Sequence, residues 1–242
     1  MKIIAPDYYP EFKCAAGKCR HTCCCGWEIA VDDDSLEKYR DKSDILPFVD
    51  REGGAHFRLL GEEERCPFLN GSGLCSLILR YGEDILCQTC RDHPRFRSFW
   101  SDRIELGLGL VCEEAGRLIL GREEKMKLIS LSDPDGGDDR EPDEDEQWLL
   151  GFRQELLDSI RETGPRARLA EYLIYRHIPD ALYDGRPEAR ARFIEASFRE
   201  ITAEWEKTAG TLPELVECCR RWSYDVEYDE EELEKRISAF EE

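Results

Sequence analysis

Ten of the twelve cysteines of this 242-residue chain fall before residue 113, at positions 14, 19, 23, 24, 25, 66, 75, 87, 90 and 112. Free cysteine is an ordinary small apolar core residue, but that use explains one or two such side chains, not ten in 112 residues. A secreted chain would turn them into a disulfide framework. The adjacent triplet Cys23-Cys24-Cys25 suits bridges poorly, because neighbouring residues rarely aim their Cβ atoms at one another. In a reducing compartment the same side chains are thiols and thiolates available to metal.

The start, MKIIAPDYYPEFK, lacks the apolar core of a signal peptide. No run approaches the ~18 apolar residues that would span a bilayer. A cytoplasmic location without membrane attachment is therefore expected. Acidic residues outnumber basic ones by 54 to 34, giving a formal charge of −20. Such a surface repels phosphate backbones, so no nucleic-acid partner is expected, and a basic protein segment is electrostatically favoured.

Residues 133–146, DPDGGDDREPDEDE, carry nine acidic residues, two prolines and two glycines against one arginine. That composition reads as a solvated linker. It divides a cysteine-cluster region, 1–132, from a helical region, 147–242. In the first region short helices are expected at 35–42, with Ser35 as cap, and at 76–82. A hairpin or tight loop is expected at CPFLNGSGLC (66–75), short strands within 96–111, and a helix over 113–120 packed through Ala115, Leu118 and Ile119. In the second region Trp148, Phe152, Leu156 and Ile160 step by four. Ile194, Phe198, Ile201 and Trp205 make one helical face, Leu212, Leu215, Val216, Cys219 and Trp222 another, and Leu233, Ile237 and Phe240 a last one, with Gly164 and Gly210 between helices. The expected fold is mainly α with a small β element, an irregular cysteine-rich metal-binding region followed by helices.

Thiolate metal sites need several sulfurs converging about 2.3 Å from each ion. Loop cysteines separated by two to four residues achieve this, as in Cys14-x4-Cys19-x3-Cys23-Cys24-Cys25. A second set follows: Cys66-x8-Cys75, Cys87-x2-Cys90 and Cys112. Zinc sites usually show paired CxxC knuckles, and here Cys87–Cys90 has that form. The other spacings favour an iron–sulfur cluster, with zinc as the alternative. The CxxxCxxC spacing of radical S-adenosylmethionine centres fails at Gly26. Cys218 and Cys219 read as core residues.

The blocks YYPEFKCAAGKCRHTCCCGWEIAVD (8–32), RCPFLNGSGLCSLILRYGEDILCQTCRDHPR (65–95) and LGLGLVCEEAGRLIL (106–120) resemble the flagellin lysine-N-methylase family, part of a broader group of cysteine-cluster proteins described as zinc- or iron-chelating. Weaker similarity returns at 168–179 and 220–240. The resemblance implies methyl transfer from S-adenosylmethionine to flagellin lysines by a protein carrying a [4Fe-4S] cluster. Carried across position by position, the metal ligands it implies are Cys14, Cys19, Cys23, Cys24, Cys66, Cys75, Cys90 and Cys112. Cys25, Cys87 and His21 fall where the family pattern does not call for these residues. A non-catalytic zinc- or iron-chelating module is the alternative function.

Near the second cysteine set, Arg95 is the candidate cofactor-binding residue, able to grip a carboxylate or phosphate with two prongs. It would equally neutralise cluster charge or pair with an acidic neighbour. His93 is a lesser candidate for ligand or base. Trp27 and Phe12 are expected to shield the cluster, as are Tyr8 and Tyr9. Ile104–Gly109 carries a lone GxG, which without a third glycine reads as an ordinary strand.

Overall fold

A computed structural model describes residues 2–131 and 141–241. The chain begins with β1 (Lys2–Pro6) and then enters a unit of its own, Cys14–His93. This unit holds α1 (Asp33–Tyr39), β2 (Val49–Asp50), β3 (His56–Phe57), α2 (Ser76–Tyr81) and α3 (Gln88–Asp92), joined by long irregular stretches. The chain then continues through β4 (Arg95–Phe99), β5 (Arg103–Leu108), α4 (Glu113–Leu120) and β6 (Leu128–Ser130). The helices α5 (Glu144–Ser159), α6 (Gly164–His177), α7 (Ala181–Asp184), α8 (Pro187–Glu206), α9 (Leu212–Trp222) and α10 (Glu230–Ser238) complete it. Met1–Lys13 and Pro94–Glu242 form the first unit, and Cys14–His93 is the second. The fold is mainly α with a small β element.

The first unit is organised by a four-stranded sheet of order β4-β5-β1-β6. β1 runs parallel to β5, with Lys2 opposite Arg103, and antiparallel to β6. β4 and β5 form an antiparallel ribbon in which Phe96 faces Gly107. A side chain at 107 would meet the Phe96 ring at 2.0 Å, so glycine is what lets that ring lie across the ribbon.

Helices bury the sheet's apolar side chains. α4 spans the expected 113–120, with Ala115 and Ile119 buried. α6 is the most enclosed helix, burying Leu169, Tyr172, Leu173, Ile174 and Tyr175. The faces expected around Ile194, Val216 and Ile237 point into the same core. Of the stripe expected on α5, Phe152, Leu156 and Ile160 pack against that core as well, whereas Trp148 is 54% exposed and Leu149 and Arg153 are buried. Buried Glu105 on β5 receives Arg153 Nη2 at 2.9 Å and Arg103 Nε at 3.0 Å, which gives the inward-facing Arg153 its partner. Residues 133–140 of the acidic stretch lie outside the described residues. Its last residues are ordered by capping: Asp143 accepts from Glu146 N at 2.9 Å, and the Glu146 carboxylate accepts from Asp143 N at 3.1 Å and Ser101 N at 2.7 Å.

The second unit has its own core around Tyr39, Phe57 and Phe68. α1 starts two residues before the expected position, because Asp32 is its cap, accepting from Ser35 N at 3.0 Å and Ser35 Oγ at 2.8 Å. α2 stops at Gly82, whose φ of +81° a side chain would resist.

Candidate metal centre

Backbone pairing brings together cysteines of the second unit that are up to 66 positions apart in the sequence. Cys25 bridges Arg65, and Cys66 N donates to Cys24 O at 2.8 Å, laying the first cysteine run along the second. The 66–75 segment closes as the expected tight loop. Leu69 bridges Cys75, Ser76 N donates to Phe68 O at 2.8 Å, and the Asn70 side chain accepts from Ser72 N at 2.8 Å and Leu74 N at 3.0 Å. Three hydrogen bonds pin the turn into α3: Tyr39 OH to Ile85 O at 2.8 Å, Gln88 N to Asp32 Oδ2 at 2.7 Å, and Thr89 Oγ1 to Ala30 O at 2.9 Å.

The result is a nest of thiols in one core. Cys66 and Cys87 are buried in it, and Cys24, Cys75 and Cys90 pack against it. Their charges are felt mutually: Cys24 acts on Cys66, Cys75 and Cys90, and Cys87 acts on Cys75 and Cys90. A hydrogen bond from the Cys23 thiol lowers Cys24 to about 7, against the opposing effect of burial and with help from Thr22 and Arg65. The Cys90 thiol likewise lowers Cys87, and the same bond together with burial raises Cys90. Burial pushes Cys66 up to about 12 and also raises Cys75. Proton affinity is thus lowered at Cys24 and Cys87 and raised at Cys66, Cys75 and Cys90. A soft cation reverses that preference, since a bound thiolate is stabilised by the metal charge itself.

The remaining candidates stand elsewhere. Cys14 is exposed, with its sulfur accepting from Ala16 N at 3.4 Å. Cys19 follows a tight turn, half-buried, and Cys23 is exposed beside Trp27, whose Nε1 donates to Cys23 O at 2.7 Å. Cys112 belongs to the first unit, where it caps α4 and packs against that unit's core. Arg95, on β4 of the same unit, sets its guanidinium 5.2 Å from the Phe12 ring and 5.9 Å from the Tyr9 ring. Phe12 and Tyr8 are buried in the first unit's core. His93 ends α3, its ring 5.6 Å from that of Trp27, and His21 is exposed.

All twelve cysteines are unbridged. Among the described residues, no three His, Cys, Asp or Glu side chains already surround one point as they would around a bound ion. By donor chemistry the nest nevertheless fits a thiophilic group: five sulfurs and an apolar wall of Ile29, Phe68 and Leu77, with the Asp32 carboxylate near Cys87. Cys87 is the residue sequence comparison passed over. The signal was present in its CxxC spacing with Cys90.

No family model matches the chain, and no solved structure matches it. Curated proteins do. A lysine-N-methylase of Salmonella typhimurium is 26% identical over 139 residues, covering 53% of this chain and 35% of that protein. Over about half its length the chain is similar to lysine-N-methylases. A lysine-N-methylase of Salmonella choleraesuis gives the same identity and coverage. A flagellar biosynthetic protein FliU of Salmonella muenchen is also 26% identical over 139 residues, and there the match covers 82% of the relative. The chain thus spans about a third of the length of the lysine-N-methylases it matches. Among the described residues no helix is long and apolar enough to cross a membrane.

Proposed function

We propose that this chain is a cytoplasmic iron–sulfur protein that transfers methyl groups from S-adenosylmethionine to lysine side chains of a protein such as flagellin. The similarity to proteins named lysine-N-methylase and FliU carries this reading. The thiol nest around Cys66 supports its metal part. Of the eight cysteines implied by the family pattern, Cys24, Cys66, Cys75 and Cys90 share the nest and are the first four to hold the group. When bound, a [4Fe-4S] cluster supplies redox-active iron in an apolar shell. Arg95 is the candidate for gripping the carboxylate of S-adenosylmethionine. The acceptor amine must lose its proton and align with the sulfonium methyl. The net charge of −20 favours approach of a lysine-bearing segment.

The test is anaerobic incubation of the purified chain with flagellin and S-adenosylmethionine carrying an isotopically labelled methyl group, followed by mass spectrometry of flagellin lysines. Methyl-lysine that is lost in Cys66→Ser is expected. Unmodified flagellin from a chain that holds its iron and sulfide would overturn the enzyme. A second reading, a zinc- or iron-chelating module without catalysis, is favoured by one observation: the match covers 35% of the lysine-N-methylase. It expects metal without binding of S-adenosylmethionine, which calorimetry with that nucleoside separates from the first.

A further inference from the structure

We propose that Cys87 is a metal ligand of this chain, taking its place with Cys24, Cys66, Cys75 and Cys90 in a five-thiol nest. The proposal rests on the metal reading above, and it changes which sulfurs do the holding.

A buried cysteine is often no more than a small apolar filler. Three observations set Cys87 apart. Its side chain is completely enclosed in the core that also takes Cys66, with Cys24, Cys75 and Cys90 against the same core. It shares a thiol–thiol hydrogen bond with Cys90, one α-helical turn away, so these two sulfurs lie side by side. The segment carrying both is held in place by the Tyr39, Gln88 and Thr89 hydrogen bonds, and ligands fixed before loading bind metal more tightly. Cys14 and Cys23, by contrast, are exposed, although the Cys23 thiol hydrogen-bonds to Cys24. Cys25 is the useful comparison. It too lies outside the family pattern, but it is half-exposed and is not part of the nest's core.

Wild type, Cys87→Ser and Cys25→Ser are purified anaerobically and assayed for iron, sulfide and zinc per chain, with absorption spectra. Cys87→Ser is expected to hold less than half the wild-type metal, and Cys25→Ser the full amount. Full loading of Cys87→Ser overturns the proposal and leaves the metal reading standing. A wild-type chain free of metal overturns both. Because serine at so enclosed a position can disturb folding, a second measurement uses the wild type alone. The loaded and chelator-stripped chains are alkylated in mild denaturant, and the sites are mapped by mass spectrometry. Metal is expected to slow alkylation at Cys87 as much as at Cys66, about tenfold or more, and at Cys25 far less. Equal rates at Cys87 in the two forms overturn the proposal.

Discussion

His177 places Nε2 3.0 Å from a carboxylate oxygen of Glu227, and both side chains are shut away from solvent. Tyr172 OH donates to the same carboxylate at 2.9 Å, and Ser223 Oγ donates to it from within a π-helical turn, Ser223–Glu227. Burial lowers His177 beneath its ordinary value. Burial alone would raise Glu227, but its bond to His177 and the charge of Arg176 bring it below the usual carboxylate range.

The sign of both shifts is the same. The unfolded chain takes up the His177 proton first, so the stability from a neutral His177 is present above about pH 6.5 and drains away below it. Glu227 adds a further loss in more acid solution, as pH falls through its lowered folded value. The thermal unfolding midpoint is expected to hold down to about pH 6.5 and to fall from there to about pH 5, less steeply in His177→Gln. A flat wild-type profile would refute the assignment.

Arg153 on α5 and Glu105 on β5 form a buried ion pair. Removing the cation in Arg153→Met strands part of a buried carboxylate, and breaking such pairs costs about 3–5 kcal/mol. Arg103 still reaches Glu105 at 3.0 Å, which places the expected loss near about 3 kcal/mol. Urea unfolding measures it. Glu105→Gln combined with Arg153→Met should recover part of the loss, and additive losses would exclude the pairing.

Gly107 has no room for a side chain beside Phe96. Gly107→Ala is expected to destabilise by about 1–3 kcal/mol, the usual range for overpacking. Phe96→Leu in the same chain should return more than half of it. A double-mutant cycle with no coupling between the two positions would contradict the close approach.

Cys66 and Cys219 are both buried but differ in company. Cys66→Ser is expected to strip most of the metal. Cys219→Ser, in the first unit's core, should keep full metal content while unfolding at lower urea. Equal metal loss in the two variants would show that general destabilisation, not ligand removal, governs loading.

Much of the helical architecture was legible because it is local. Residues 113–120 and the faces of α8 and α9 repeat their apolar positions within a few turns, and a helix reads that period directly. The Asn70–Gly73 turn was legible for the same reason. On α5 the positions Phe152, Leu156 and Ile160 were legible too, but nothing near them announces that Arg153 has a carboxylate waiting 48 positions earlier.

The amino-acid sequence by itself determined the thiol inventory, the absence of an apolar span, and the run of amphipathic helices, all of which follow from composition and short-range periodicity. Tertiary structure decided the rest. It joined Lys2–Pro6 to Arg103–Leu108 in parallel, a pairing about a hundred residues long in sequence that leaves no local mark. It also decided that Cys87, outside the family pattern, lies in the same core as four cysteines within it. Which sulfurs meet depends on where distant backbone segments cross, and that is settled by hydrogen bonds such as Cys66 N to Cys24 O, not by spacing along the chain.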